Sequence, residues 1–281
     1  MGRVGRCEVV MSQSPGLESF SVESPDGARI AVWNSGSGPP LLLVHGSMSD
    51  HTRWRITDAL ARHRTVYAMD RRGRGGSSDG PHWSVDREVE DVVAVIDTVA
   101  DRADSPVDVL GHSLGGYLVL RATARSAHVR RVVAYEPAIV PAGQPAELVA
   151  RMKTAADAGR NEEVAELMLR EVLHMPQEEI SALRAQPTWP ARVASAPTLP
   201  REESVPLLID DIELTAIRCP TLLIGGGDSP AFLQEAIRTV ADGVAHAQVI
   251  MLPGQQHVAD QLIPEEFAQV VLRFLISDEG Q

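Results

Sequence analysis

Lysine is almost missing from this chain of 281 residues: Lys153 is the only one, and arginine supplies the other basic side chains. The 26 basic residues face 38 acidic ones, which leaves a formal net charge of −12. A surface this acidic repels polyanions. The one basic cluster, Arg71, Arg72 and Arg74, is too short to make a phosphate-binding stripe, so no nucleic-acid partner is expected. The preference for arginine reads as a bias of the source genome rather than as a function. Cysteine is nearly as scarce. Cys7 falls in an N-terminal tail and Cys219 opens an apolar strand, far away in sequence. A disulfide is not expected, and a reducing, cytoplasmic setting fits. No apolar run reaches the ~18 residues that a membrane span needs. The first residues, MGRVGRCEVVMSQSPG, hold no apolar h-region of a secretory signal. No membrane association is expected.

What is present is ordinary for a globular protein: 44% hydrophobic and 23% charged residues, in a length that suits one large domain or a domain with a sizeable insertion. Short apolar runs alternate with longer amphipathic ones. Ser19–Ser24 and Ala28–Asn34 read as a hairpin closed by Pro25-Asp26-Gly27. LLLVH (Leu41–His45) is a continuous apolar strand of the kind buried on both faces. Thr65–Met69, Val107–Leu110, Arg131–Tyr135, Thr221–Ile224 and Gln248–Leu252 read the same way. Between them lie helical patterns. Val85, Val89, Val92, Val93, Ile96, Val99 and Ala100 share one helix face. Leu114–Ser126, Pro230–Ala241 and Pro264–Ile276 are further helices, the last two with proline near the first turn. Strands alternating with helices predict an α/β fold with a mostly parallel, eight-stranded sheet covered on both sides.

One stretch breaks this rhythm. Between Glu136 and Cys219 no strand is convincing. Helix-like segments at Pro145–Ala158, Asn161–His174 and Gln177–Gln186 precede a proline-rich run, PTWPARVASAPTLP. That is too long for a simple crossover and reads as an inserted helical lid. The expected organisation is a poorly ordered tail over 1–16, a core over 17–137 and 219–281, and a lid over 138–218.

The stretch VLGHSLGG carries the chemistry. Gly111-His112-Ser113-Leu114-Gly115 is G-x-S-x-G between a strand and a helix, the setting of a nucleophile elbow. Such a turn is so tight that the residues two before and two after the serine must lack bulk. It leaves the serine hydroxyl projecting over a helix N-terminus, which favours developing negative charge. The same stretch is one residue away from the dinucleotide fingerprint G-x-G-x-x-G, but Ser113 stands where the middle glycine must let the pyrophosphate approach. A serine nucleophile needs a base and an orienting carboxylate. His257 follows the strand QVIML and is the candidate base. Asp228 follows the strand TLLI and is the candidate carboxylate, with Glu136, at the end of RVVAY, as its rival; Asp228 would otherwise cap a helix. Oxyanion donors are expected from the backbone N–H of Leu114 and of Ser47, the latter in the turn after LLLVH that Gly46 permits. His45 and His112 are given packing roles. Gly46, Met48 and Trp189 are the candidate substrate contacts. Met48, Trp189, Met152, Met168 and Met175 read first as lid core, and any of them that reach a pocket make it apolar and adaptable. The remaining histidines, among them His51, show no metal-ligand spacing, and no metal or cofactor is expected.

With those residues in view, the chain resembles the α/β-hydrolase superfamily. LLLVHGSM, MDRRGRGGSS, VLGHSLGG, TLLIGGGDSP and LPGQQHVADQLIPEEFAQVVLRFL carry the likeness, which runs from about Leu41 to Ile276 with the lid unmatched in detail. The resemblance implies a Ser113–Asp228–His257 triad, an oxyanion hole at Ser47 and Leu114, and a helical cap over the pocket. It is similar to the many actinobacterial members associated with ester, lactone or C–C bond hydrolysis. Epoxide hydrolases and haloalkane dehalogenases of the family carry aspartate at the nucleophile position and are disfavoured by Ser113. The proline that some subfamilies place after the oxyanion loop is absent after HGSM. The expected activity is hydrolysis of a small, mostly apolar ester, lactone or thioester through an acyl-enzyme. The alternatives are hydrolysis of a C–C bond in a β-diketone-like substrate, and ligand binding without hydrolysis.

Overall fold

Among the described residues, mostly apolar runs form nine strands: β1 (Val9–Met11), β2 (Glu18–Glu23), β3 (Arg29–Gly36), β4 (Pro40–Val44), β5 (Thr65–Met69), β6 (Val107–His112), β7 (Val129–Tyr135), β8 (Thr221–Gly226) and β9 (Ala247–Leu252). The computed structural model describes residues 9–11 and 18–276. The strands make one sheet in the order β1-β2-β3-β5-β4-β6-β7-β8-β9. From β5 to β9 neighbours are parallel, and β1, β2 and β3 add an antiparallel edge. β1 is the strand beyond the expected eight. It lies within the stretch expected to be a tail; the rest of 1–16, Cys7 included, falls outside the described residues.

Among the described residues, twelve α-helices accompany the strands: α1 (Thr57–Ala61), α2 (Val85–Ala103), α3 (Leu114–Thr123), α4 (Ala146–Asp157), α5 (Asn161–Leu167), α6 (Gln177–Arg184), α7 (Trp189–Ser195), α8 (Leu199–Glu203), α9 (Asp211–Ala216), α10 (Ala231–Gly243), α11 (Ala259–Leu262) and α12 (Pro264–Ile276). In the apolar stripe of α2, Val89, Val92, Ile96, Val99 and Ala100 are buried and Val85 and Val93 are half-buried, and Ser84 caps that helix by accepting the Arg87 amide. One apolar cluster lies between the sheet and α2, α3 and α10; a second lies under α1 and α12 on the opposite face. Among the described residues no helix is long and apolar enough to cross a membrane.

Between β7 and β8 the chain is helical, as expected, with its own apolar cluster of Leu148, Met152, Val164, Leu169, Ile180 and their neighbours. The proline-rich run is itself helical: α7, a 3-10 turn at Ala196–Thr198 and α8 each carry proline in the first turn, where its missing N–H costs nothing. The insertion is tied down by ions. Glu202 on α8 accepts from Arg71 at 2.6 Å and also from Arg74, both on the loop after β5.

The strand order reverses at β4, which has β5 on one side and β6 on the other. The loops leaving β4 and β6 therefore part at the C-terminal edge of the sheet and leave a crevice, where a parallel sheet gathers its ligands.

Candidate active site

Ser113 sits in that crevice, between β6 and α3, with φ +55° and ψ −122°. The left-handed region is unfavourable for a residue with a side chain, and such strain persists where the surroundings enforce it. Two glycines enforce it here. A Cβ on Gly111 would run into the carbonyl of Gly115, and a Cβ on Gly115 would run into the carbonyls of Val44 and His45. The turn closes only because both lack one.

Beside it, the loop after β4 passes so close that a Cβ on Gly46 would stand 2.9 Å from that of Ser113. His45 holds this loop. Its Nε2 accepts the Arg71 amide at 3.1 Å, so Nδ1 carries the proton and donates to the Gly46 carbonyl at 2.8 Å. Complete burial, reinforced by the charges of Arg71 and Arg74, keeps its pKa well below the usual histidine range. Ser47 and Leu114 line one narrow cavity together with Ser113. The free space there is about 30 Å³, enough for a water.

His257 follows β9 and is buried. Its Nδ1 donates to Glu136 Oε2 at 2.6 Å, which leaves Nε2 open. Glu136 follows β7, has a left-handed φ of +44°, and is 0% exposed. Its other oxygen, Oε1, accepts the Gly226 amide at 2.7 Å. This corrects the expectation for Asp228. That residue lies on an exposed turn two residues past β8, its amide bonded to the Gln255 carbonyl, and its carboxylate makes no hydrogen bond or ion pair with His257. Nor is it a helix cap, since the cap position of α10 is Pro230, with no side-chain cap bond.

The loop carrying His257 is bracketed by Tyr135, whose hydroxyl donates to the Gln256 carbonyl at 2.5 Å and accepts the Ala259 amide at 2.9 Å. His112, next to Ser113, packs on His257 with ring centroids 4.5 Å apart, and its Nε2 donates to the His257 carbonyl at 2.9 Å. Burial, then the charges of Arg53 and His257, push the His112 pKa well down, so this ring is neutral. Ser113 Oγ makes no hydrogen bond to His257 or to any other described residue.

Of the candidate substrate contacts, Gly46 adjoins the serine. Met48 and Trp189 are drawn instead into the apolar cluster of the insertion, and Arg184 lies over the Trp189 ring. Met168 and Val172 line the cavity in their place, from a single turn of π-helix over Met168–Val172. Such turns recur at functional sites, but no spacing in the sequence announces one.

The fold also gathers Asp50, His51 and Asp70, with ligand atoms within 4.8 Å of one another. Asp70 is already occupied: it accepts the amides of His51 and Gly76, both at 2.8 Å, and the Trp33 indole at 3.0 Å, and it pairs with His51 Nδ1. Asp50 accepts the Thr52 amide. The cluster is a loop fastening.

Known proteins resemble this chain in fold and in sequence. A structure of an alpha/beta hydrolase from Sphaerobacter thermophilus superposes with a TM-score of 0.77 at 32% identity, covering 91% of this chain and 99% of that one. The chain is 30% identical to the lipase LipV of Mycobacterium tuberculosis over 157 residues, 54% of this chain, and so spans about half (52%) of that relative's length. It is 27% identical to a 2-hydroxymuconate semialdehyde hydrolase of a Pseudomonas strain over 89% of this chain and 91% of that protein. The model of the alpha/beta hydrolase family matches residues 41–270, and the chain belongs to that family.

Proposed function

We propose that this hydrolase cleaves a small, mostly apolar carboxylic ester, lactone or thioester, with Ser113 as nucleophile, His257 as general base and Glu136 as the carboxylate that orients it. The observation that carries the reading is the buried Glu136–His257 pair, 2.6 Å long, held against the residue next to a serine on a strained turn. Glu136 fixes the imidazole with its proton on Nδ1, so that Nε2 can take the proton of Ser113 Oγ as that oxygen attacks the carbonyl. The hydroxyl turns to His257 when substrate enters, since catalytic hydrogen bonds are often formed only in the complex. The N–H groups of Ser47 and Leu114 receive the developing oxyanion; losing one such donor costs about 10²–10³ in turnover. His257 returns the proton to the leaving group, and water then attacks the acyl-enzyme by the same route in reverse. The scheme asks for no metal or organic cofactor.

The helical insertion acts as a lid. With about 30 Å³ free over the serine, a substrate enters only when Met168, Val172 or their helices give way. The free thiol of Cys219 suits a cytoplasmic setting.

Replacement of Ser113 by alanine should abolish cleavage of short p-nitrophenyl esters and labelling by a fluorophosphonate while circular dichroism stays native. Undiminished turnover would refute the assignment. The similarity to a 2-hydroxymuconate semialdehyde hydrolase supports a second reading, cleavage of a C–C bond with the same three residues. Faster turnover of a β-diketone than of any ester would favour it.

A further inference from the structure

Two consecutive carboxyls on α8 have opposite surroundings. Glu202 is buried against Arg71 and Arg74. Glu203 meets no cation: it is part-buried and lines the cavity with Ser47, Ser113, Leu114 and Gln144. Apolar groups such as Met168, Leu207 and Phe232 make up much of the remaining wall. Among the described residues, Glu202 is the only other ionisable group lining this cavity. The reaction scheme above uses neither.

Resting on the hydrolase reading, we propose that Glu203 is a specificity-determining residue: its carboxyl O–H donates to an oxygen acceptor carried by an uncharged ester a few atoms from the scissile carbonyl. Loss of water, then the charge of Glu202, push the Glu203 carboxyl up to about 8, so at neutral pH it is largely the neutral acid and a donor. A wholly apolar ester would leave that hydroxyl unpaired against a largely apolar wall. A substrate carboxylate would face two carboxyls and no free cation in the wall of this cavity.

Calorimetry on the Ser113→Ala protein tests this, because it holds intact ester without turnover. Three probes of matched length are ethyl levulinate, with a ketone oxygen in the acyl chain, ethyl valerate, with none, and monoethyl glutarate, with a carboxylate. At about pH 6.5, levulinate should bind roughly fivefold to tenfold more tightly than valerate, and glutarate most weakly. At about pH 9.5, above the Glu203 transition, the preference for levulinate should vanish. Adding Glu203→Gln, which keeps a donor and cannot ionise, should preserve the preference at both pH values; adding Glu203→Leu should remove it at both. Equal affinity for levulinate and valerate at the lower pH, a preference indifferent to Glu203→Leu, or no binding of any of the three overturns the proposal. Lack of ester hydrolysis by the unmodified protein would instead overturn the hydrolase reading and leave these affinities interpretable.

Discussion

Glu136 holds His257 and Gly226 at once, one carboxylate oxygen 2.6 Å from the imidazole Nδ1 and the other 2.7 Å from the glycine amide. The second bond fixes the rotation of the carboxylate, and through it the plane of the ring. Glu136→Gln keeps the shape but can present an N–H where the ring needs an acceptor. Turnover of a short p-nitrophenyl ester should fall about 10³–10⁴-fold. Asp228→Asn, on its exposed turn, should leave turnover within about twofold, surface changes away from such contacts being nearly neutral. The reverse ranking in steady-state assays would restore Asp228 to the triad.

Gly115→Ala places a methyl group against the carbonyls of Val44 and His45, both backbone atoms of the central strand region. Backbone yields less readily than a side chain. The substitution should cost at least about 1–3 kcal/mol in urea unfolding, and the ester cleavage proposed for Ser113 should fall as the turn shifts. A variant with native stability and native activity would show that the turn tolerates bulk after all.

Acid should weaken the ion pair between α2 and the loop after β5, Glu88 with Arg71, in a definite pH range. Burial pushes the Glu88 carboxyl up, but Arg71 and Arg74, with hydrogen bonds from Arg71 and Trp83, outweigh it and hold the group at about 2, against 4.5 for the free side chain. The unfolded chain therefore binds the Glu88 proton first. Its stabilisation is complete above about pH 4.5 and is lost as pH falls from there towards about 2. Denaturant midpoints of the unmodified protein should fall across that range. Those of Glu88→Gln should start lower at neutral pH and fall less. Parallel curves for the two proteins would contradict the assignment.

Much of this was legible in the sequence because it depends on local rules. Pro264–Ile276 forms the helix its spacing implies, and G-x-S-x-G between a strand and a helix locates Ser113 in its strained turn. The carboxylate was harder. Glu136 and Asp228 each follow one of two adjacent parallel strands, and strand order alone does not say which side chain turns inward. The deciding feature is the left-handed backbone at Glu136, directly after β7, against an exposed turn that carries Asp228 past the end of β8. The run PTWPARVASAPTLP offers no helical pattern to read, because proline breaks helices in their interior. Here each helix is so short that its proline falls in the first turn.

The paired guanidinium groups that seize Glu202 belong to the sheet's own loop, while the next side chain along faces the chamber. The helical roof of the cavity at Ser113 is thus riveted at the residue adjoining the one that looks inside. Altering Glu203 would change the lining without unfastening the roof. Altering Arg71 or Arg74 would tilt the lining from behind, and a substrate would register the change although nothing it touches had been replaced.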